Sequence, residues 1–232
     1  MMRTAMRLRK LTRIGLASGL WLFAAWVGAA QPAPAVQAEV DAAVKVYEAG
    51  QIGPARAAFE RLARREVPAA QYNLAVMHLR GELPRSDLKV ARRLLESAGR
   101  SGFVTAQLML GRGLESGEIG PRDLVLAHNW YELAATLGDA ESLLAMGTAY
   151  FLGRGRPQDG ARAAYWFRES AKGGDVGAMY LLATLYEKGE GVDLDLRLAR
   201  YWFEAAAQAG DVAAPSKLRE VDARMAAAAK AS

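Results

Sequence analysis

Three columns of identical residues recur through this chain at one interval. Glycine stands at 81, 117, 153 and 189, alanine at 91, 127, 163 and 199, and glycine again at 102, 138, 174 and 210. Each step is 36 residues, and no gap is needed between Ala70 and Pro215. A fixed period of this size means that one supersecondary unit has been copied and stacked, because a unit so small cannot bury its own apolar side alone. The constraint on fold is severe: whatever one copy forms, its neighbours form too.

Each copy reads as two helices. "AQYNLAVMHLRG", "AQLMLGRGLESG", "SLLAMGTAYFLG" and "AMYLLATLYEKG" carry apolar residues at three- and four-residue intervals and predict a first helix. Ala75, Gly111, Gly147 and Ala183 put a small residue at one fixed helical position, where a neighbouring backbone is expected to come close. A glycine-bearing loop follows, then a second helix such as "DLRLARYWFEAAAQA". Glycine closes each second helix in the left-handed conformation that ends helices, and Asp139, Asp175 and Asp211 stand ready to cap the next first helix. The expected fold class is all-α: a right-handed αα superhelix, or solenoid.

The N-terminus is organised differently. Arg3, Arg7, Arg9, Lys10 and Arg13 precede the uncharged apolar run Ile14 to Val27, and Gly28, Ala29 and Ala30 supply small residues. This is the pattern of a secretory signal peptide cleaved after Ala30. The apolar run falls short of the roughly 20 residues that span a bilayer, although an uncleaved inner-membrane anchor is the alternative. The formal net charge is +5, and five cations lie in that leader, so the remainder is formally neutral. Neutrality argues against a nucleic-acid partner. The chain has no cysteine, which removes disulfides, thiolate metal sites and a lipidated cleavage site.

Candidate chemistry is sparse. Trp130, Trp166 and Trp202 share one repeat position on the second helix and are expected in the core rather than in a ligand platform. The glycine pairs "GRG" and "GEG" lack the third glycine of a dinucleotide fingerprint, since Gln158 and Leu194 take its place. His78 occupies the position of Leu114, Tyr150 and Tyr186 and is expected to replace a packed side chain. His128 is expected to be partly exposed, and the two share no acidic partner at metal-ligand spacing. No catalytic motif stands out, so no enzyme activity, cofactor or metal is expected.

The motifs "YxxGxGV", "A-x-x-W-[YF]" and "AAxxGD", with a small residue after leucine, resemble the Sel-one-like repeat family, a relative of the tetratricopeptide repeats. The copies at 70–105, 106–141, 142–177 and 178–213 carry the likeness; the first departs from it, with Leu94 in place of tryptophan and Phe103 in place of aspartate. Residues 1–30 then form the signal peptide and 31–39 a linker. Residues 40–69 form a tetratricopeptide-like N-terminal helix pair, 214–225 a C-terminal capping helix and 226–232 a frayed tail. Arg219 and Asp222 put charges where a further repeat would dock, so the stack is expected to stop there.

The resemblance implies a non-catalytic adaptor in the bacterial periplasm. It would be a monomer binding a protein or peptide partner on the concave face, with a membrane involved only through an uncleaved leader. Envelope assembly, exopolysaccharide export and sensor regulation are the roles it suggests. In such relatives the first helices line the concave side, which implicates Tyr72, Arg112, Glu115, Phe151, Tyr180, Thr184 and Lys188 in partner binding. The aromatics and the arginine lead, because such residues make most anchors. A cysteine-rich branch of the family has been linked to weak penicillin binding or hydrolysis. The alternative is therefore a cell-wall-associated, β-lactamase-like hydrolase or a glycan-binding protein.

Overall fold

The computed structural model describes residues 33–231, and the expected leader, residues 1–30, lies outside them. Eleven helices and no strand occur among the described residues. They are α1 (Pro34–Glu48) and α2 (Ile52–Arg64), α3 (Pro68–Leu79) and α4 (Leu88–Arg100), and α5 (Val104–Ser116) and α6 (Leu124–Thr136). Then come α7 (Ala140–Leu152) and α8 (Gly160–Lys172), α9 (Val176–Lys188) and α10 (Leu196–Gln208), and α11 (Ala214–Ala231). The chain divides into two compact units, one ending at Leu137 and the other beginning at Gly138. Within each unit every helix packs on the next in sequence. The fold is an all-α solenoid of helix pairs.

In two of the pairs a ring laid over a glycine joins the two helices. A Cβ on Gly111 would stand 2.5 Å from Cε1 of Tyr131, and a Cβ on Gly147 would overlap the ring of Phe167. Tyr131 and Phe167 each follow a tryptophan on the second helix of the same pair. Leu95 and Phe203 hold the equivalent positions in the pairs that carry Ala75 and Ala183, and all four of these residues are fully buried. The sequence led us to expect a close backbone here; the group that comes close is an aromatic ring.

The tryptophan beside that ring faces another way. Trp130 and Trp166 are buried, and the indole of Trp130 lies against Gly99 of α4, where a Cβ would meet Cζ3 at 3.0 Å. Trp130 thus packs on the preceding second helix, while Tyr131 packs on its own first helix. Trp202, in the last repeat, is only half-buried.

Aspartates punctuate both helices of the pair. Asp139 Oδ1 accepts from the Ser142 N–H at 2.8 Å, Asp175 from Ala178 at 2.6 Å, and Asp211 from Ala213 and Ala214 at 2.8 and 2.7 Å. The second helices repeat the device at Asp87, Asp123, Asp159 and Asp195. The Leu198 and Arg197 amides that bond Asp195 hold its carboxyl below the ordinary carboxylate range. A cap of this kind contributes ~1 kcal/mol. The glycines that follow the second helices adopt φ between 81° and 99°, as the punctuation required.

Loops close identically in successive copies. The N–H of Asp123 donates to the Leu114 carbonyl, that of Asp159 to Tyr150 and that of Asp195 to Tyr186, each at 3.0 Å. Consecutive copies meet at the α8 N-terminus, where Gly160 touches Gly191 so closely that a Cβ on Gly191 would collide with the Gly160 carbonyl carbon. Gly191 also sits at φ +76°, so two independent reasons demand glycine there.

Two boundaries differ from expectation. The linker assigned to 31–39 is already helical from Pro34, because proline fits the first helical position. The tail assigned to 226–232 continues α11 to Ala231, because an alanine run has high helix propensity and no breaker interrupts it.

These contacts define two stability changes. Trp166→Ala should cost about 3–5 kcal/mol, the range for emptying a buried aromatic site. Gly147→Ala gains up to about 1 kcal/mol in helix propensity yet should still destabilise by about 1–3 kcal/mol, because the fully buried ring of Phe167 must shift to admit the methyl group. Urea unfolding followed by circular dichroism measures both.

Candidate functional site

The residues implicated in partner binding fall on first helices, and each unit presents its own set. In the first unit Tyr72 is only 9% exposed, with its ring 5.4 Å from Phe103. This corrects its assignment as an outward anchor. Phe103 stands where later copies place a capping aspartate, and the ring it introduces is covered by Tyr72; burial also pushes the phenol pKa up. Arg112 and Glu115 of α5 are exposed. Glu115 is tied to its own helix pair: its carboxylate accepts from the Tyr131 hydroxyl at 2.9 Å.

The second unit gathers the remainder. Phe151 on α7 is half-buried, its ring edge-on to Phe167 at 6.1 Å. Tyr180 on α9 is half-buried against Phe203 at 5.3 Å in the same edge-on manner. One turn along, Thr184 donates its hydroxyl proton to the Tyr180 carbonyl at 3.0 Å. Lys188 is exposed at the end of α9, 3.7 Å from Glu190. Phe151 and Tyr180 are therefore aromatics packed edge-on with a buried ring, with part of their surface exposed. Fixing a ring in this way reduces the side-chain entropy that binding would otherwise cost.

Sequence reasoning passed over two aromatics. Tyr165 and Tyr201 are 52% and 58% exposed on α8 and α10, each edge-on to the tryptophan that follows it at 5.0 Å. The same 36-residue step that revealed the tryptophans joins these tyrosines, and it was the available signal.

The histidines do not gather into a site. His128 is 4% exposed, which corrects the expectation of a partly open side chain. It lies on the buried stripe of α6 beside Ala127, with Tyr131 a turn away at 6.2 Å. His78 is half-buried, and its Nδ1 accepts from the Asp87 N–H at 3.2 Å. That bond takes the place of the carbonyl that closes the loop in the other copies. Among the described residues no trio of histidine, cysteine, aspartate or glutamate is grouped to hold a metal ion. No described helix is long and apolar enough to cross a membrane.

The period, the caps and the small-residue column have a counterpart among known families. The Sel1 repeat profile matches residues 68–103, 104–139, 140–175 and 176–211. This chain belongs to the Sel1 repeat family. The matched frame starts two residues before the one read from the glycine and alanine columns, at the onset of the first helices. Among solved structures it is similar to a protective antigen of uropathogenic Escherichia coli that displays an SLR fold. That likeness has a TM-score of 0.68 and 29% identity over 79% of this chain and 40% of the antigen. A Sel1 repeat protein from Oxalobacter formigenes gives 0.61 and 31% identity over 72% of this chain and 49% of that one. The chain thus spans less than half the length of either. No curated protein matches it. Sel1 repeat proteins generally mediate protein–protein interaction.

The loop bond at His78 makes a pH prediction. Nδ1 must be unprotonated to accept from Asp87, and desolvation by burial lowers the pKa below the ordinary 6.5. A depressed histidine pKa means that the folded state favours the neutral ring. Its contribution is then complete above pH 6.5 and is lost as pH falls toward the folded-state value. The melting temperature should drop in that window, and the drop should shrink in His78→Leu.

Proposed function

We propose that this Sel1 repeat protein is an exported, non-catalytic adaptor of the bacterial periplasm that grips a partner protein or peptide with the outward positions of its first helices. The observation that carries the reading is the mounting of Phe151 and Tyr180. Each is braced by a buried ring while part of its surface stays exposed, and aromatic residues are enriched among binding anchors. Thr184 and Lys188 supply polar groups on the helix that carries Tyr180, and Arg112 and Glu115 supply a separate polar pair on the first unit. Export is supported by the basic, apolar and small-residue succession over residues 1–30. Envelope assembly, exopolysaccharide export and sensor regulation are the settings in which an adaptor of this class would act.

Photo-crosslinking from Phe151 and Tyr180 in the periplasm of the producing cell tests this. A discrete partner band is expected, and Arg112→Ala with Tyr180→Ala should weaken its capture by roughly ten-fold or more, as loss of anchors does. Helical circular dichroism should be nearly unchanged. Retention of the chain in the cytoplasm, or capture indifferent to the double substitution, would overturn the proposal.

A further inference from the structure

The last described helix buries fewer of its residues than those before it. Of the eighteen residues of α11, Ala214 and Val221 are buried, whereas α9 buries six of its thirteen. Leu218 and Met225 are half-buried. These four form one narrow stripe along the face packed on α10. The remaining attachment is ionic: Asp222 accepts from Arg200 Nε of α10 at 2.7 Å, and Arg224 and Lys217 reach Glu187 of α9 at 3.1 and 3.7 Å.

Glu187 is the unusual member of this set. It is 7% exposed, and both cations approach the same oxygen, Oε1. Oε2 is buried and has no hydrogen-bond partner. A buried carboxylate oxygen that accepts nothing carries its desolvation cost uncompensated. As a ligand for its own seat, α11 is therefore incomplete. An arginine fork that spans both oxygens makes the stronger, bidentate pair.

We infer that the seat beneath α11 is a binding site for an amphipathic helix of another protein, and that α11 is the placeholder such a helix displaces. The occupant carries the same apolar stripe, an acid opposite Arg200 and an arginine that grips both oxygens of Glu187. A second copy's α11 is the weaker candidate. It has the same shortfall at Oε2 and competes with an identical helix already tethered at high effective concentration. This seat lies at the end of the second unit and does not depend on the braced aromatics of the first helices.

Two fluorescent peptides spanning Val212–Ser232, one native and one with Lys217→Arg, are titrated into the full chain and into a Val221→Asp chain whose own α11 is undocked. Both peptides should bind the Val221→Asp chain roughly ten-fold tighter than the unsubstituted chain, since the tethered competitor is gone. The arginine peptide should be preferred roughly threefold or more, and Glu187→Gln should abolish that preference. Peptides that bind neither chain, or an arginine preference that survives Glu187→Gln, overturn the inference. So does an unsubstituted chain that dimerises in gel filtration and loses the dimer on Val221→Asp, which makes a second copy the occupant. Should Val221→Asp fail to fold, hydrogen exchange on the unsubstituted chain decides. Amides of 217–224 exchanging roughly ten-fold faster than those of α9 support a displaceable helix, and equal protection overturns it.

Discussion

A flat ring pressed on a residue with little or no side chain is the contact from which the rest of this structure is built. Tyr131 on Gly111 and Phe167 on Gly147 bring the two helices of a pair so close that no methyl group fits between them. The pair becomes a rigid element with one face still apolar. In the first unit Trp130 covers that face against Gly99 of the preceding second helix. Two adjacent aromatic positions thus separate two jobs: closing a pair, and joining it to the pair before.

Rigid pairs stack usefully only if chain direction is set at every turn. Aspartate does this at the start of both helices, and one N–H to carbonyl bond closes the loop between them in three copies. The first copy shows how tolerant the scheme is. Phe103 replaces a cap with an apolar plug covered by Tyr72, and His78 supplies a ring nitrogen where the other copies use a carbonyl. Each exchange keeps the backbone path and alters the local chemistry. Functional variety can enter a repeat array in this way without disturbing the stack.

Surface not consumed by stacking is where binding can occur, and the stacking contacts themselves prepare it. Phe151 and Tyr180 are braced by the same buried rings, Phe167 and Phe203, that belong to the pair-closing column. At the far end the logic reverses. Helix α11, the last described helix, carries a thin apolar stripe and an ion-pair set that leaves one oxygen of Glu187 without a donor. Stability and availability are therefore graded along the second unit, from the densely packed α9 to the lightly held α11.

The amino-acid sequence by itself determined the helix pairs, their punctuation and the buried columns. Each of these follows from local spacing repeated every 36 residues, and repetition averages away the ambiguity of any one copy. Only the tertiary structure decided which outward positions stay open. Tyr72 and Tyr180 share a register position, yet one is buried under Phe103 and the other stays partly exposed. Glu115 and Glu187 likewise share a register position, yet one is exposed and the other is sealed by α11. Exposure depends on what an adjacent element brings to the contact, and that element differs from copy to copy even where the column does not.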